Sequence, residues 1–460
     1  MSARAFDVVV LGAGPAGEVV AGRLADGGLE VALLEQELVG GECSFWACMP
    51  SKALLRPSEA LAEIRRVPGA AEAVTGELDV AATLARRDEV IHDLDDSAQL
   101  PWLKERGVTL IREHGTITGE RRVQAGDDEL EARRAVVLAC GSSAAMPPIE
   151  GLMDSRPWTS REVTTAKRAP ECLVIIGGGI VGVEMAQAWK SLGSKVILIE
   201  GARRLLANEE EFACEQVTDA LVEIGVDVRT GLKATKVSRP DPGGEVTVTT
   251  DDGGTASGDE LLMALGRHPN TDDIGLEMLG LEAGKVVEVD DHLRTPGHPW
   301  LYAIGDVNGR VLLTHMGKYQ ARQAADHILG RADARIDPLS DGRLSPRVVF
   351  TDPQMAAVGH TSKTAQEAGL NVRCVDVGTS TNAGGSFTGR GTSGSARIVV
   401  DEDRGVIVGA TITGPEVAEF LHAATIAVVC EVPLRRLWHA VPSFPTRSEL
   451  WLRLLEEYGL

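Results

Sequence analysis

Apolar residues crowd positions Phe6 to Leu11, stop at Gly12-Ala13-Gly14-Pro15-Ala16-Gly17, and give way to a helical period. A short apolar run closed by glycine reads as a buried strand. A second run, Val31 to Leu34, ends at Glu35. The order then returns: Cys172 to Ile176, the turn Gly177-Gly178-Gly179-Ile180-Val181-Gly182, a helix, and Val196 to Ile199 closed by Glu200. Gly12 to Glu35 and Gly177 to Glu200 each span 23 positions. Strand, glycine turn, helix, strand and acid form a dinucleotide-binding unit. The glycines permit a tight turn and close backbone approach to a pyrophosphate at the helix N-terminus, and the acid accepts hydrogen bonds from a ribose. Two units of equal length imply two dinucleotides, and electrons passing between them.

Between and beyond these units the patterning is coarser. Asp79 to Arg106 has helical periodicity, broken near Pro101, and reads as packing. Ala135 to Ile149 predicts a strand, a Gly-Ser turn and a proline-marked crossover; Glu245 to Thr250 alternates as a strand; Leu261 to Thr271 runs from strand into turn. Leu301 to Asp306 is a strand whose terminal acid suits cofactor hydroxyls, or else caps the helix expected from Thr314 to Leu329. After Pro346, strands at Arg347 to Phe350, Ala396 to Val400 and Val406 to Ile412 surround helices at Ser362 to Ala368 and Val417 to Cys430. The Gly/Ser/Thr-rich segment Thr379 to Ser395 predicts a mobile loop. With neither a phosphate turn nor a cysteine pair, this third region reads as an interface.

A length of 460 residues fits two to four domains, and the alternation predicts an α/β fold. A net charge of −21 argues against nucleic acid or an anionic membrane surface as partner. The most apolar stretch, Cys172 to Trp189, is interrupted by its glycines and Glu184, so no membrane span is expected. Residues 1–5 lack the features of a signal peptide, and a cytoplasmic location is expected. Seven cysteines without an export signal argue against a structural disulfide framework. Cys140, Cys172, Cys214, Cys374 and Cys430 are expected to fill core space, and no His/Cys spacing predicts a metal site.

Cys43 and Cys48 differ. They stand five positions apart in Gly40 to Lys52, GGECSFWACMPSK. Helical neighbours lie at i+3 and i+4, so these two approach only with the first in a loop and the second in a helix's opening turn. There the helix dipole favours a thiolate. The spacing alone favours two unconnected buried cysteines; the context, with the acid-terminated unit before it, favours a reversible disulfide.

GAGPAG at Gly12, CxxxxCxPSK at Cys43, ACGS at Ala139, GGGIVGVE at Gly177, ALGRHPNT at Ala264, YAIGD at Tyr302 and VVFTDPQMAAVG at Val348 together resemble the flavoprotein disulfide reductases, the group of dihydrolipoamide dehydrogenase, glutathione reductase and mercuric reductase. The resemblance covers essentially the whole chain. It implies two Rossmann-like domains and an α+β dimerisation domain: FAD-binding residues 1–150 and 269–338, an NAD(P)-binding insertion at 151–268, and dimerisation through 339–460. It further implies a homodimer with a shared active site. Cys48 would be the thiol beside the flavin and Cys43 the exchanging thiol, with Lys52 and Glu184 as an ion pair near the flavin. FAD would lie against Gly12, Gly14, Pro15, Ala16, Gly17, Glu35, Gly41, Gly115, Gly141, Ser142, Asp306, and Leu312, Leu313, Thr314 and His315. The nicotinamide dinucleotide would lie against Gly177, Gly179, Ile180, Val181, Gly182, Glu200 and Gly266. Hydride would pass from nicotinamide to FAD, and electrons on to the disulfide.

The sequence also departs from that family. A histidine before Pro-Thr, with a glutamate five positions on, is usual; here Phe444 precedes Pro445 and Thr446, with Glu449 kept. A phenyl ring cannot shuttle a proton, and His439 is too far along the chain to replace it. Ordinary dithiol exchange is therefore in question. Mercuric reductases lack the histidine but carry a C-terminal cysteine pair, whereas no cysteine follows Cys430. A 2-ketopropyl coenzyme M oxidoreductase/carboxylase shares the Phe but departs around the lysine and glutamate retained here. A quinone, a metal ion or an unusual disulfide remains as acceptor, and a flavin sensor without turnover is the alternative class. Glu42, Ser44, Phe45, Trp46 and Ala47 replace the usual Thr, Leu, Asn, Val and Gly of the box; Phe45 and Trp46 are expected to pack or to select an apolar substrate. Glu200 favours NADH over a 2′-phosphate, with Arg203 and Arg204 leaving NADPH as the alternative. The Phe444–Pro445 peptide is expected to be cis.

Overall fold

A computed structural model describes residues 4–392 and 394–460. The elements that carry the candidate site are, in chain order, β1 (Arg4–Leu11), α1 (Pro15–Asp26), β2 (Val31–Leu34), α2 (Gly41–Phe45), α3 (Cys48–Arg66), β3 (Asp128–Leu138), β4 (Cys172–Ile176), α4 (Ile180–Ser191), β5 (Lys195–Glu200), β6 (His298–Ala303) and α5 (Thr314–Ile328). The chain divides into two compact units.

The first unit gathers residues up to Pro50, Asp88–Ala145 and Arg267–Gly342. Its main sheet runs Arg294–Thr295, β6, β3, β1, β2, Thr109–Ile111, and the β1, β2, β3 and β6 pairings are parallel. Val8, Val9 and Val10 are all buried, so β1 is covered on both faces. That is why it reads as a continuous apolar run. Arg23 on α1 clamps Asp326 on α5 through Nε and Nη2, at 2.8 and 2.7 Å.

The second unit holds Ser51–Arg87, Met146–Gly266 and Arg343–Leu460. Its parallel sheet orders Asp227–Thr230, β5, β4 and Glu260–Met263. Beside it, the strands Ala234–Ser238, Val246–Thr250 and Thr255–Gly258 pair antiparallel. The C-terminal part is a five-stranded antiparallel sheet ordered Arg347–Val349, Gln354–Gly359, Val406–Gly414, Ser395–Asp401, Val372–Gly378.

Several expectations change. The helical stretch 79–106 breaks before Pro101: α-helix ends at Val90, and Pro101 lies in the opening turn of Leu100–Glu105. Proline lacks only an N–H that a first turn leaves unpaired. The segment expected as a mobile loop from Thr379 is irregular but tied: Thr379 Oγ1 donates to Thr413 O at 3.1 Å, and Gly385 N–H to Asn382 Oδ1 at 2.7 Å. Cys430 is exposed rather than core, because it caps the end of the Leu421–Val429 helix. Among the described residues no helix is long and apolar enough to cross a membrane, and no group of three His, Cys, Asp or Glu is placed to hold a metal.

Candidate active site

Parallel register brings the first set of predicted residues to one sheet edge. Leu11 lies opposite both Leu34 and Leu138, and Leu138 opposite Ala303. Gly12, Glu35, Gly141 and Asp306 therefore leave the sheet together, at the carboxyl ends where open α/β sheets bind ligands. Gly12 holds φ +97°, and a Cβ there would stand 2.5 Å from Ala139 O. A Cβ on Gly17 would stand 1.9 Å from Gly12 O, so turn and helix meet at backbone distance. At Gly14 nothing lies within 4 Å: the middle glycine opens onto free space, as a pyrophosphate requires. Pro15 and Ala16 open α1 there.

Glu35 is already employed. Its Oε2 accepts from Ala13 N–H at 2.9 Å and its Oε1 from Glu37 N–H at 2.8 Å, while burial pushes its pKa upward. Asp306 accepts from Ser142 Oγ at 2.5 Å, and Arg267 Nε donates to the same hydroxyl at 2.6 Å. Asp306 does not cap α5, whose N-cap position is Leu313. Gly115 packs under the strand ends, where a Cβ would meet Leu34 Cδ2 at 2.6 Å. Leu312 and His315 are exposed at the start of α5, with Thr314 half-buried between them.

The second unit repeats the solution. Gly177 holds φ +114° with a would-be Cβ 2.4 Å from Ala264 O, Gly182 sits equally tight on Gly177 O, and Gly179 faces open space. Glu200 Oε2 accepts from Gly178 N–H at 2.5 Å, and Oε1 from Ala202 N–H at 2.6 Å. Ile180 is half-buried, Val181 and Gly266 are exposed. Arg204 is turned onto Ala207 O and Glu209 O, both at 3.4 Å, and pairs with Glu211; Arg203 is exposed. Both units thus fit a dinucleotide on their own geometry.

The thiols follow the first turn. Gly40, at φ +116°, donates its N–H to Ala13 O at 2.8 Å and starts α2. A Cβ on Gly41 would meet Gly14 Cα at 2.9 Å, so glycine lets α2 settle on the turn. Cys43 accordingly lies in a short helix, not in the loop expected, and Cys48 opens α3. Cys48 Sγ and Thr314 Oγ1 are 3.4 Å apart. The Cys43 thiol is hydrogen-bonded to Cys48; that bond and burial raise its proton affinity, against smaller opposing effects of Thr314 and Lys318. Phe45 is buried, its ring 5.8 Å from that of Trp46, so it packs rather than meeting substrate.

In the second unit Lys52 Nζ lies 2.7 Å from Glu184 Oε2, and Glu184 is 3% exposed. Its other oxygen accepts from Phe350 N–H at 3.0 Å, and Lys52 stands 4.7 Å above the Phe350 ring. A buried carboxylate with both oxygens bonded holds one lysine oriented. Phe444 is 76% exposed and its peptide to Pro445 is cis, as expected. Val441 at 83% and Trp438 at 39% are exposed beside it in sequence. Glu449 is buried and accepts from Gly384 N–H at 3.4 Å. Sequence reasoning passed over Arg267 and Phe350, although both stand inside quoted motifs.

These features define an oxidoreductase with two dinucleotide sites and a cysteine pair. The chain belongs to the pyridine nucleotide-disulphide oxidoreductases: that family's sequence pattern matches residues 6–325, and its dimerisation domain matches residues 345–454. It is 32% identical to the dihydrolipoyl dehydrogenase of Chlamydia muridarum over 97% of this chain and 95% of that one. It is 28% identical to a mercuric reductase of Staphylococcus aureus over 96% of this chain and 81% of that one. Among solved structures, LpdA from Mycobacterium tuberculosis superposes with a TM-score of 0.87 at 26% identity, covering 99% of this chain and 100% of its own. The flavoprotein disulfide reductase RclA of Escherichia coli shares the fold, with a TM-score of 0.84 at 24% identity over 98% and 99%. The protein is thus an FAD-dependent pyridine nucleotide-disulphide oxidoreductase that uses NAD(P)H, and its dimerisation domain supports a homodimer.

Proposed function

We propose that electrons from NADH reach a Cys43–Cys48 disulfide, and that the reduced pair passes them to a small disulfide acceptor. In this reading residues 1–150 and 269–338 hold FAD, 151–268 hold the nicotinamide dinucleotide, 339–460 build the dimer, and the enzyme works in the cytoplasm. FAD, when bound, supplies a two-electron carrier between nicotinamide and sulfur. The observation that carries the reading is the hydrogen-bonded Cys43–Cys48 pair, with Thr314 at 3.4 Å from Cys48, on the same turn as the open Gly14. A hydroxyl at a helix N-terminus supports a thiolate on Cys48, while Cys43 keeps the proton and faces exchange. The Lys52–Glu184 pair supplies a fixed cation for reduced flavin. Glu200, bonded as Glu35 is, presents a carboxylate that repels a 2′-phosphate and supports NADH.

The test is anaerobic NADH titration of the FAD-loaded protein. A long-wavelength thiolate–flavin absorption band is expected and should vanish in Cys48→Ser; a band that persists there overturns the assignment. A second reading, turnover on a quinone or metal ion without thiol exchange, draws on Phe444, which cannot take a proton. Side-by-side rates with disulfide, quinone and Hg(II) acceptors separate the two, and no turnover with any of them would favour a sensor.

A further inference from the structure

We propose that Phe350 is a positioning residue for Lys52, its ring and its own N–H fixing both the lysine and the carboxylate that the lysine meets. The inference rests on the reading of Lys52 given above, as the cation for reduced flavin. A lysine ammonium is a compact charge on a flexible four-carbon stem, and a single carboxylate leaves it able to swing. Lys52 is held from two sides: Nζ lies 2.7 Å from Glu184 Oε2 and 4.7 Å from the centre of the Phe350 ring. The ring face attracts an ammonium through its quadrupole. Phe350 also reaches the far side of the pair, since its N–H donates to Glu184 Oε1 at 3.0 Å. The contacts close a circuit, from the Phe350 amide through Glu184 and Lys52 back to the Phe350 ring.

Phe350 is itself fixed by the segment it opens. Asp352 N–H donates to Gln187 Oε1 at 2.7 Å. Gln187 is three positions after Glu184 on α4, so one face of that helix receives the segment twice. Towards α3, Gln354 Nε2 donates to Glu59 Oε1 at 2.6 Å, and Asp352 pairs with Arg66. Lys52, Glu59 and Arg66 stand seven positions apart, a two-turn spacing that places all three on one stripe of α3. Each of the three meets residues 350–354. Thr351 Oγ1 donates to Pro353 O at 2.8 Å, bracing the segment between its two helices. Glu184, Gln187, Thr351 and Gln354 are all buried.

The ring does more here than fill space. Phe350 is half-buried against the apolar cluster of this unit, and a leucine would pack there too, but only a ring offers the lysine a negative face. A cation pinned in advance needs no reorganisation when charge develops beside it, whereas one that swings is worth less at any single place. The segment lies within the dimerisation domain, which matches residues 345–454. That domain therefore supplies an internal support for Lys52 as well as an interface.

The experiment compares FAD-loaded wild type with Phe350→Leu, which keeps the N–H and apolar bulk but loses the ring face, and with Phe350→Tyr, which keeps all three. Acetic anhydride labelling of Lys52, read by mass spectrometry against the other lysines, is expected to rise about two- to fivefold in Phe350→Leu. The equilibrium constant for two-electron reduction of the flavin is expected to fall about tenfold in the same variant, or about 30 mV. Phe350→Tyr should match wild type in both. Labelling unchanged in Phe350→Leu, or Phe350→Tyr behaving as Phe350→Leu does, overturns the proposal. So does a potential unmoved in Phe350→Leu while Lys52→Met lowers it. If labelling rises but neither Phe350→Leu nor Lys52→Met moves the potential, the positioning of Lys52 stands and its flavin reading falls instead. Should Phe350→Leu not retain FAD, Phe350→Met replaces it, with the same rise and the same fall expected.

Discussion

The two glycine turns share a backbone but not a roof. In both, the first glycine takes positive φ against a neighbouring carbonyl, the third seats the helix, and a glutamate 23 positions after the first ties down the amide beside it. They differ in what comes next. After Glu35 the chain returns through Gly40 and Gly41, so that α2 lies directly on Gly14, which is half-buried. After Glu200 it returns through Leu206, whose N–H donates to Gly178 O at 2.9 Å, but leaves Gly179 and Val181 exposed. Both middle glycines open onto space, but the half-buried turn is the better placed to retain a dinucleotide and the exposed one to let it exchange every turnover. That division suits a resident FAD and a visiting nicotinamide, and the covering segment is the one that brings the thiols.

The largest effects should come from forcing a side chain into each turn. Gly17→Val places a Cβ on Gly12 O and should cost at least about 3 kcal/mol, giving protein that purifies without flavin colour. Gly182→Val meets the same clash in the other unit, and should abolish reduction by NADH while the isolated protein keeps its FAD. If both variants lose FAD equally, the two turns are not independent.

A pH effect of similar size attaches to the first turn alone. Burial holds Glu18 at about 7 against 4.5 for an exposed glutamate. Between those values the folded chain keeps a proton that the unfolded chain has released, so stability falls as pH rises from 4.5 to 7 and levels off above. Denaturant titrations should show a loss on the order of 2–3 kcal/mol across that window, absent in Glu18→Gln. Glu184→Ala, which strands Lys52 and the Phe350 amide, should cost about 2 kcal/mol in the same assay. The smallest effect sharpens the open turn: Glu200→Ala should lower the NADH over NADPH preference about tenfold, or 1.4 kcal/mol, read as a kcat/KM ratio.

Much of this was legible because buried parallel strands and glycine turns are local signals. Val8 to Val10 cannot hide, and neither can a turn whose glycines meet carbonyls at 2.5 Å or less. The strands Gln354–Gly359 and Val372–Gly378 were not seen: the first is rich in alanine, and the second is broken by Arg373 and Asp376. Thr314 beside Cys48 joins positions 266 apart, and only tertiary packing creates such a contact. Glu18 looked like an ordinary helix residue for the same reason, since Lys318, which acts on it, stands 300 positions along the chain.

The bare ring of Phe444 has one more consequence. A lone chain that shows water Phe444, Val441 and Trp438 in a single short stretch is a poor solute by itself, and a second copy is the natural shelter for it. Heat resistance should then depend on how much protein is in the tube, the melting point climbing with every dilution undone.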